Sequence, residues 1–200
     1  MRYWTGLLLL LMIIPPIVAA QDKDAEKLVI GYLEMADDPR YREEVVEAEY
    51  QAQPWGRPYP GAEVALEESY FAGLAAGVDF SLSRESFKDT DSMMQAVEGF
   101  KRDDIRFILV DAPREAVAEL ARRTRGQGIL LFNISALASE LRGEQCQKHL
   151  LHIAPSRDML QDALAQFLVS SRWDEVLVLK GPTAQDAAMT AAIKASAERY

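Results

Sequence analysis

A polar segment that follows a buried strand, residues 111–114, carries side chains suited to binding a small molecule. Backbone amides at the helix start after Pro113 could receive a ligand carboxylate, with Arg114 close by. Asp111 ends the strand itself and would face the same ligand. The alternative is that Asp111 only caps the helix and Arg114 is a surface charge.

A second polar segment, residues 133–136, leaves the next buried strand in the same way. Its Asn133 and Ser135 offer side-chain hydrogen bonds to a solute. In doubly wound sheets, ligands bind outside the carboxyl ends of the strands, near the point where the strand order reverses. We therefore predict that the two segments form one binding site.

The connection from residue 34 to residue 60 is the third candidate, because a connection of this length in a compact domain is usually functional or disordered. It contains four aromatic residues, Tyr41, Tyr50, Trp55 and Tyr59. Two interpretations stay open. The aromatic rings line a pocket, with Trp55 and Tyr59 packing on the solute, or they pin a surface lid to the domain.

Composition excludes several other chemistries. A formal net charge of -9 argues against nucleic acid as a partner. One cysteine, Cys146, and two histidines cannot form a Cys/His zinc cage, so no metal site is expected. The sequence has no G-x-S-x-G elbow, Walker loop, H-E-x-x-H or G-x-G-x-x-G motif, so we expect neither a cofactor nor an enzyme. A secreted enzyme that uses Asp111 is the weakest alternative.

The first twenty residues predict a secretory signal peptide. An apolar run at 7–14 follows Arg2, two prolines stop it, and small residues precede Gln21. The run is too short to span a bilayer, which favours cleavage before Gln21 and a periplasmic mature protein.

Behind this segment, short apolar runs alternate with helical periodicity, which is typical of an α/β fold with a doubly wound parallel sheet. Strands are predicted at 28–33, 80–87, 105–110, 129–132, 149–153 and 175–179. We predict a first α/β lobe over 21–154. Residues 155–200 supply one strand and two helices, too few for an independent core, and are predicted to be a crossover and the incomplete start of a second lobe.

Several stretches together resemble the type I periplasmic solute-binding fold of the branched-chain amino-acid-binding group. They are 89–91, 100–104, 105–111, 132–141 and 152–156. Three further segments, at 55–58, 60–62 and 162–166, are similar to the subgroup of binding proteins encoded beside PQQ-dependent alcohol dehydrogenases. The resemblance covers residues 28–200.

The resemblance implies a two-lobed receptor that closes on a small organic solute and delivers it to an inner-membrane ABC permease, with a possible partner in a PQQ-dependent dehydrogenase system. Amino-acid binders of this family present a serine after the third strand, where this chain has Asp111-Ala112-Pro113. Only Ser135 survives after the fourth strand, which makes an ordinary α-amino acid a doubtful ligand. The alternative is a periplasmic sensor or scaffold of the same fold that has no transport role.

Overall fold

A computed structural model of the chain describes residues 25–42, 56–173 and 175–200. The predicted signal peptide with its cleavage site at Gln21, and the aromatic residues Tyr50 and Trp55, lie outside the described residues. In the described part, no helix is long and apolar enough to cross a membrane.

Five parallel strands form a single sheet. The strands are β1 (Glu26–Met35), β2 (Val78–Phe87), β3 (Phe107–Asp111), β4 (Leu130–Asn133) and β5 (Leu150–His152). Their order is β2-β1-β3-β4-β5, so the sheet grows in both directions from β1. The predicted α/β class with a doubly wound parallel sheet is confirmed.

Helices connect the strands, as parallel pairing requires. They are α1 (Tyr59–Ala75), α2 (Thr90–Arg102), α3 (Arg114–Arg123), α4 (Arg157–Ser170) and α5 (Ala184–Ala197), with short 3-10 helices at Pro39–Tyr41 and Ser139–Leu141. Side chains cap three of the helices: Asp89, Ser156 and Thr183 each accept a backbone N–H in the first turn of α2, α4 and α5. The connection after β1 is shorter at both ends than predicted, because β1 extends to Met35 and α1 begins at Tyr59.

The hydrophobic core lies between one face of the sheet and helices α2 and α3. Ile108 and Val110 of β3 are fully buried there, together with Val97 of α2 and Val117 and Leu120 of α3. Successive side chains of a strand alternate between the two faces of a sheet. Residues 107, 109 and 111 of β3 therefore belong to the opposite face.

Helix α1 covers that opposite face over β1 and β2. Gly73 allows the close approach, because a Cβ atom at this position would lie 2.7 Å from the carbonyl oxygen of Val78. A gap of about 200 Å³ remains between α1 and the sheet, lined by apolar side chains such as Ile30, Phe80 and Leu109. Towards β5 the same face is open, and Ile153 at its end is 66% exposed.

Residues 155–200 contain α4 and α5, which pack against each other. The strand predicted at 175–179 is wrong: this stretch has no regular secondary structure and lies outside the sheet. A strand exists only when a neighbour completes its ladder of backbone hydrogen bonds, and none of the described strands pairs with it. Leu177 and Leu179 are accordingly 85% and 87% exposed.

Candidate functional site

The reversal of strand order places β1 and β3 side by side, and their carboxyl ends carry two acids. Glu34 of β1 lies directly opposite Asp111 of β3 in the parallel register. Both residues are buried. Like charges directly opposite each other on neighbouring strands repel, so this pair needs cations close by.

Asp111 is the centre of the contacts at this edge. Its Oδ1 accepts hydrogen bonds from Tyr41 Oη at 2.7 Å and from Arg40 Nη2 at 3.0 Å. The alternative that Asp111 only caps the next helix is wrong, because the N-cap of α3 is Pro113 and no side chain caps that helix. The buried carboxylate is thus held by the connection after β1, which returns over the end of β3.

Arg40 joins three parts of this edge. Its guanidinium binds both oxygens of Asp38, at 2.6–3.0 Å, and reaches Asp111, while Nη1 donates to Ser135 Oγ at 3.0 Å. Asp38 also accepts the backbone N–H of Arg40 and thereby caps the 3-10 helix Pro39–Tyr41. This local bond keeps the two side chains close together. Burial alone would lower the pKa of Arg40, but the bond to Asp38 and the nearby charges outweigh it and raise the pKa. Arg40 stays a cation.

Arg57 approaches from the far end of the same connection. Its Nη2 donates to the backbone carbonyls of Met35 and Ala36 at 2.9 and 2.8 Å. Its Nη1 lies 3.4 Å from Glu34 Oε2 and 3.8 Å from Asp111 Oδ2, which places one guanidinium between the two opposed carboxylates. Arg57 therefore relieves the repulsion between the ends of β1 and β3.

Arg84 of β2 completes the charge balance. It donates to Glu34 Oε1 at 2.6 and 3.0 Å. We call the set of three acids and three arginines the strand-end cluster: Glu34, Asp38, Asp111, Arg40, Arg57 and Arg84. The formal charge of the strand-end cluster is zero, and each of its three carboxylates has an arginine within 3.0 Å.

Three tyrosines pack against the strand-end cluster. The Tyr41 ring has Arg40 and Arg57 within 5.2 and 4.9 Å of its centroid, and Arg84 lies 3.9 Å from the centroid of Tyr59. Tyr59 meets Tyr32 edge to face, at 4.9 Å between centroids. Such cation–π and edge-to-face contacts favour fixed ring positions. Burial raises the pKa of Tyr41, with its bond to Asp111 adding to the shift, so its phenol remains protonated.

Asn133, at the end of β4, fixes the turn that follows this strand. It is fully buried, and its Oδ1 accepts the backbone N–H groups of Ala136 and Ser135 at 2.8 and 3.3 Å. Its Nδ2 donates to the carbonyl of Ala136 and to His152 Nδ1. The amide is thus used within the chain, and its role is to hold the turn that presents Ser135 to Arg40.

The structure brings together most of the sequence-predicted site residues. Tyr41, Asp111 and Ser135 meet through Arg40, and Tyr59 adjoins them across Tyr32. Arg114 does not join them: its guanidinium pairs with its neighbour Glu115 on the surface, at 2.7 Å.

Sequence reasoning missed all three arginines of the strand-end cluster, and also Glu34 and Asp38. Asp38-Pro39-Arg40, three residues after the end of β1, was a usable signal, because a capping acid followed by proline marks a tight turn, here at the ligand-binding edge. Among the described residues, no group of three or more His, Cys, Asp and Glu side chains could hold a metal ion.

Comparisons with known proteins bear on the fold. No protein-family model matches the sequence, and no curated protein matches it either. Solved structures, in contrast, match the fold of this chain. An ABC transporter substrate-binding protein from Desulfitobacterium hafniense in complex with Leu is 14% identical, with a TM-score of 0.61 over 87% of this chain and 48% of its own.

Two further structures agree. A branched-chain amino acid ABC transporter periplasmic ligand-binding protein from Burkholderia xenovorans LB400 has 14% identity and a TM-score of 0.64 over 86% of this chain and 43% of its own. A solute-binding protein of an ABC transporter from R. palustris, in complex with 4-hydroxybenzoate, has 9% identity and a TM-score of 0.58 over 87% and 44%.

The described residues have the fold of one type I periplasmic binding protein lobe, with a parallel five-stranded sheet and helices between its strands. The chain spans less than half of the length of each of these proteins.

Proposed function

We propose that the chain is part of a periplasmic solute-binding receptor, which captures a small organic solute at the strand-end cluster and delivers it to an inner-membrane ABC permease. In this proposal residues 21–154 form the first lobe and residues 155–200 begin the second. Residues 1–20 direct the protein to the periplasm and are removed.

The observation that carries the proposal is the position of the strand-end cluster. Doubly wound sheets bind ligands where the strand order reverses, which here is the gap between the carboxyl ends of β1 and β3. Glu34 and Asp111 stand on the two sides of that gap. A neutral cluster of buried carboxylates and partly exposed arginines, with aromatic neighbours, offers both polar and apolar contacts to a solute.

Ligand contacts in this proposal come from Tyr41, Tyr59, Asp111 and Ser135, with Arg40 and Arg57 added by the geometry. Trp55, next to the described residues, is proposed to pack on the solute. Arg114, which pairs with Glu115 on the surface, is not among the proposed ligand contacts, and Asn133 acts by holding the turn that carries Ser135.

The proposal extends to a link with PQQ-dependent alcohol oxidation. It is supported by the sequence resemblance at 55–58, 60–62 and 162–166. Arg57, from the first of these segments, lies in the strand-end cluster. The link makes alcohols and aldehydes the first solutes to examine.

A thermal-shift screen of the protein against alcohols, aldehydes, carboxylic acids and quinone cofactors tests the proposal. A solute at 100 times its Kd stabilises the folded state by about 2.7 kcal/mol, which raises the Tm of a chain of this size by about 5–10 °C. The solute should be recovered chemically unchanged. Turnover of the solute, or no shift with any compound, would contradict the proposal.

Two tyrosines of α1 provide a matched pair of variants for the same screen. Tyr59 adjoins the site, whereas Tyr70 is exposed on the same helix and contacts Phe71. Tyr59→Ala should reduce the ligand-induced shift, and Tyr70→Ala should leave it unchanged. Equal shifts in both variants would place the binding site elsewhere.

A further inference from the structure

Two buried polar atoms, one in the strand-end cluster and one next to it, have no hydrogen-bond partner among the described residues. They are Tyr32 Oη and Asp111 Oδ2. Both residues are fully buried. An unsatisfied buried polar atom costs about 1–3 kcal/mol, so a pair of them in one place indicates a group that belongs there.

The two atoms belong to one face of neighbouring strands. Asp111 lies opposite Glu34, and Tyr32 is two residues earlier in β1, which puts Tyr32 and Asp111 diagonally across the β1–β3 pair. The two residues also influence each other electrostatically: burial raises the pKa of Tyr32, and the negative charges of Asp111 and Glu34 add to this shift. Tyr32 therefore remains a phenol, with a proton to donate.

The chemistry of the two atoms is complementary. A carboxylate oxygen carries no hydrogen, so Asp111 Oδ2 can accept a hydrogen bond but not donate one, while Oδ1 already accepts from Tyr41 and Arg40. Tyr32 Oη can donate one. A hydroxyl group is a donor and an acceptor at once, whereas a carboxylate would be repelled by Asp111 and an ammonium group could not accept from Tyr32.

We propose that the site takes a solute hydroxyl group, which donates to Asp111 Oδ2 and accepts from Tyr32 Oη. This inference rests on the proposed function and names the substrate class as alcohols. The guanidinium of Arg57 is 24% exposed and stays 3.8 Å from Asp111 Oδ2 without a hydrogen bond to it, so among the described residues this acceptor has no donor.

Binding of matched probes tests the proposal. Isothermal titration calorimetry on the protein would compare benzyl alcohol, benzoate and benzylamine, then butanol, butyrate and butylamine. The alcohol of each set should bind at least tenfold more tightly than the acid or the amine. Binding of an acid without the alcohol overturns the hydroxyl inference and leaves the proposed function standing. If no compound of the broader solute screen binds, both fail.

Variants identify the contact. Tyr32→Phe removes one hydrogen bond and should weaken alcohol binding about fivefold. Asp111→Asn should weaken it more, because the hydroxyl then meets a neutral amide. Asp104→Asn is the control: Asp104 lies at the opposite end of β3, is exposed, and has a φ of 57°, which asparagine tolerates.

A buried water has the same hydrogen-bonding chemistry as a hydroxyl group, and the same variants distinguish the two. If a water alone fills the place, Tyr32→Phe changes the Tm but not the affinity for the alcohol, and the proposal is overturned. Circular dichroism first establishes that each variant is folded. Should Asp111→Asn fail to fold, Tyr32→Phe and its affinity for benzyl alcohol decide the matter.

Discussion

Replacing Arg40 by methionine should destabilise the protein strongly, because two buried carboxylates lose their main cation. The side chains of Asp38 and Asp111 are fully buried, and Arg40 bonds to both. Removing one partner of a buried ion pair costs about 3–5 kcal/mol. Arg40 itself is 30% exposed, so water can replace part of its contribution. We therefore expect a loss of about 2–3 kcal/mol, smaller than for a fully buried pair.

Urea unfolding followed by circular dichroism measures this loss. The corresponding fall in Tm is about 5–10 °C for a chain of this size. Arg114→Met is the matched control: Arg114 pairs with its exposed neighbour Glu115, so the substitution should cost less than about 0.5 kcal/mol. Combining Arg40→Met with Asp38→Asn should recover part of the loss, because one unpaired charge is removed. If Arg40→Met costs under about 1 kcal/mol, the buried charges are not paired as described.

Three other predictions follow from the sequence and the structure. Burial, together with the charge of Arg142, lowers the pKa of His152 below its ordinary value of 6.5, so the folded state binds fewer protons than the unfolded state. The free energy of unfolding should therefore fall as pH drops from 6.5 towards that lowered pKa. The Tm should be lower at pH 5 than at pH 7.5, and this difference should be smaller in His152→Gln. Trp55→Ala should weaken solute binding by about 1–3 kcal/mol and Ser135→Ala by about 1 kcal/mol, measured by titration calorimetry once a solute is known. Mass spectrometry of the secreted protein should show Gln21 as its first residue.

Each of these has a result that would contradict it. A Tm that is flat between pH 5 and 7.5, or a slope unchanged by His152→Gln, would rule out the titration of this imidazole. Parental affinity in Trp55→Ala would make the connection after β1 a surface lid only. Detection of Met1 in the secreted protein would exclude cleavage.

Local patterns in the sequence were sufficient for most of the fold. Short apolar runs predicted all five strands of the sheet, and the cap of α4 at Ser156 could be read directly. The same logic failed at 175–179, because an apolar run shows that a segment can be a strand and says nothing about a neighbour to pair with.

The site was only partly predictable for a related reason. Asp111 ends β3 and Ser135 lies just after the end of β4, so the general rule for doubly wound sheets identified them. The pairing of Glu34 with Asp111 depends on strand register, which the apolar runs of two buried strands do not encode. Arg40 acts over 71 residues of sequence on Asp111, a distance at which no local pattern connects them.

The contacts of Arg57 have a consequence for how this protein can diversify. By bonding the carbonyls of Met35 and Ala36, Arg57 ties the far end of the connection back to its origin at β1. Closing a loop costs only about 0.6 kcal/mol more for each doubling of its length. Changes of length between Tyr41 and Arg57 should therefore cost the sheet little. Solute preference could change there during evolution or by engineering, provided that Arg40, Tyr41 and Arg57 keep their contacts.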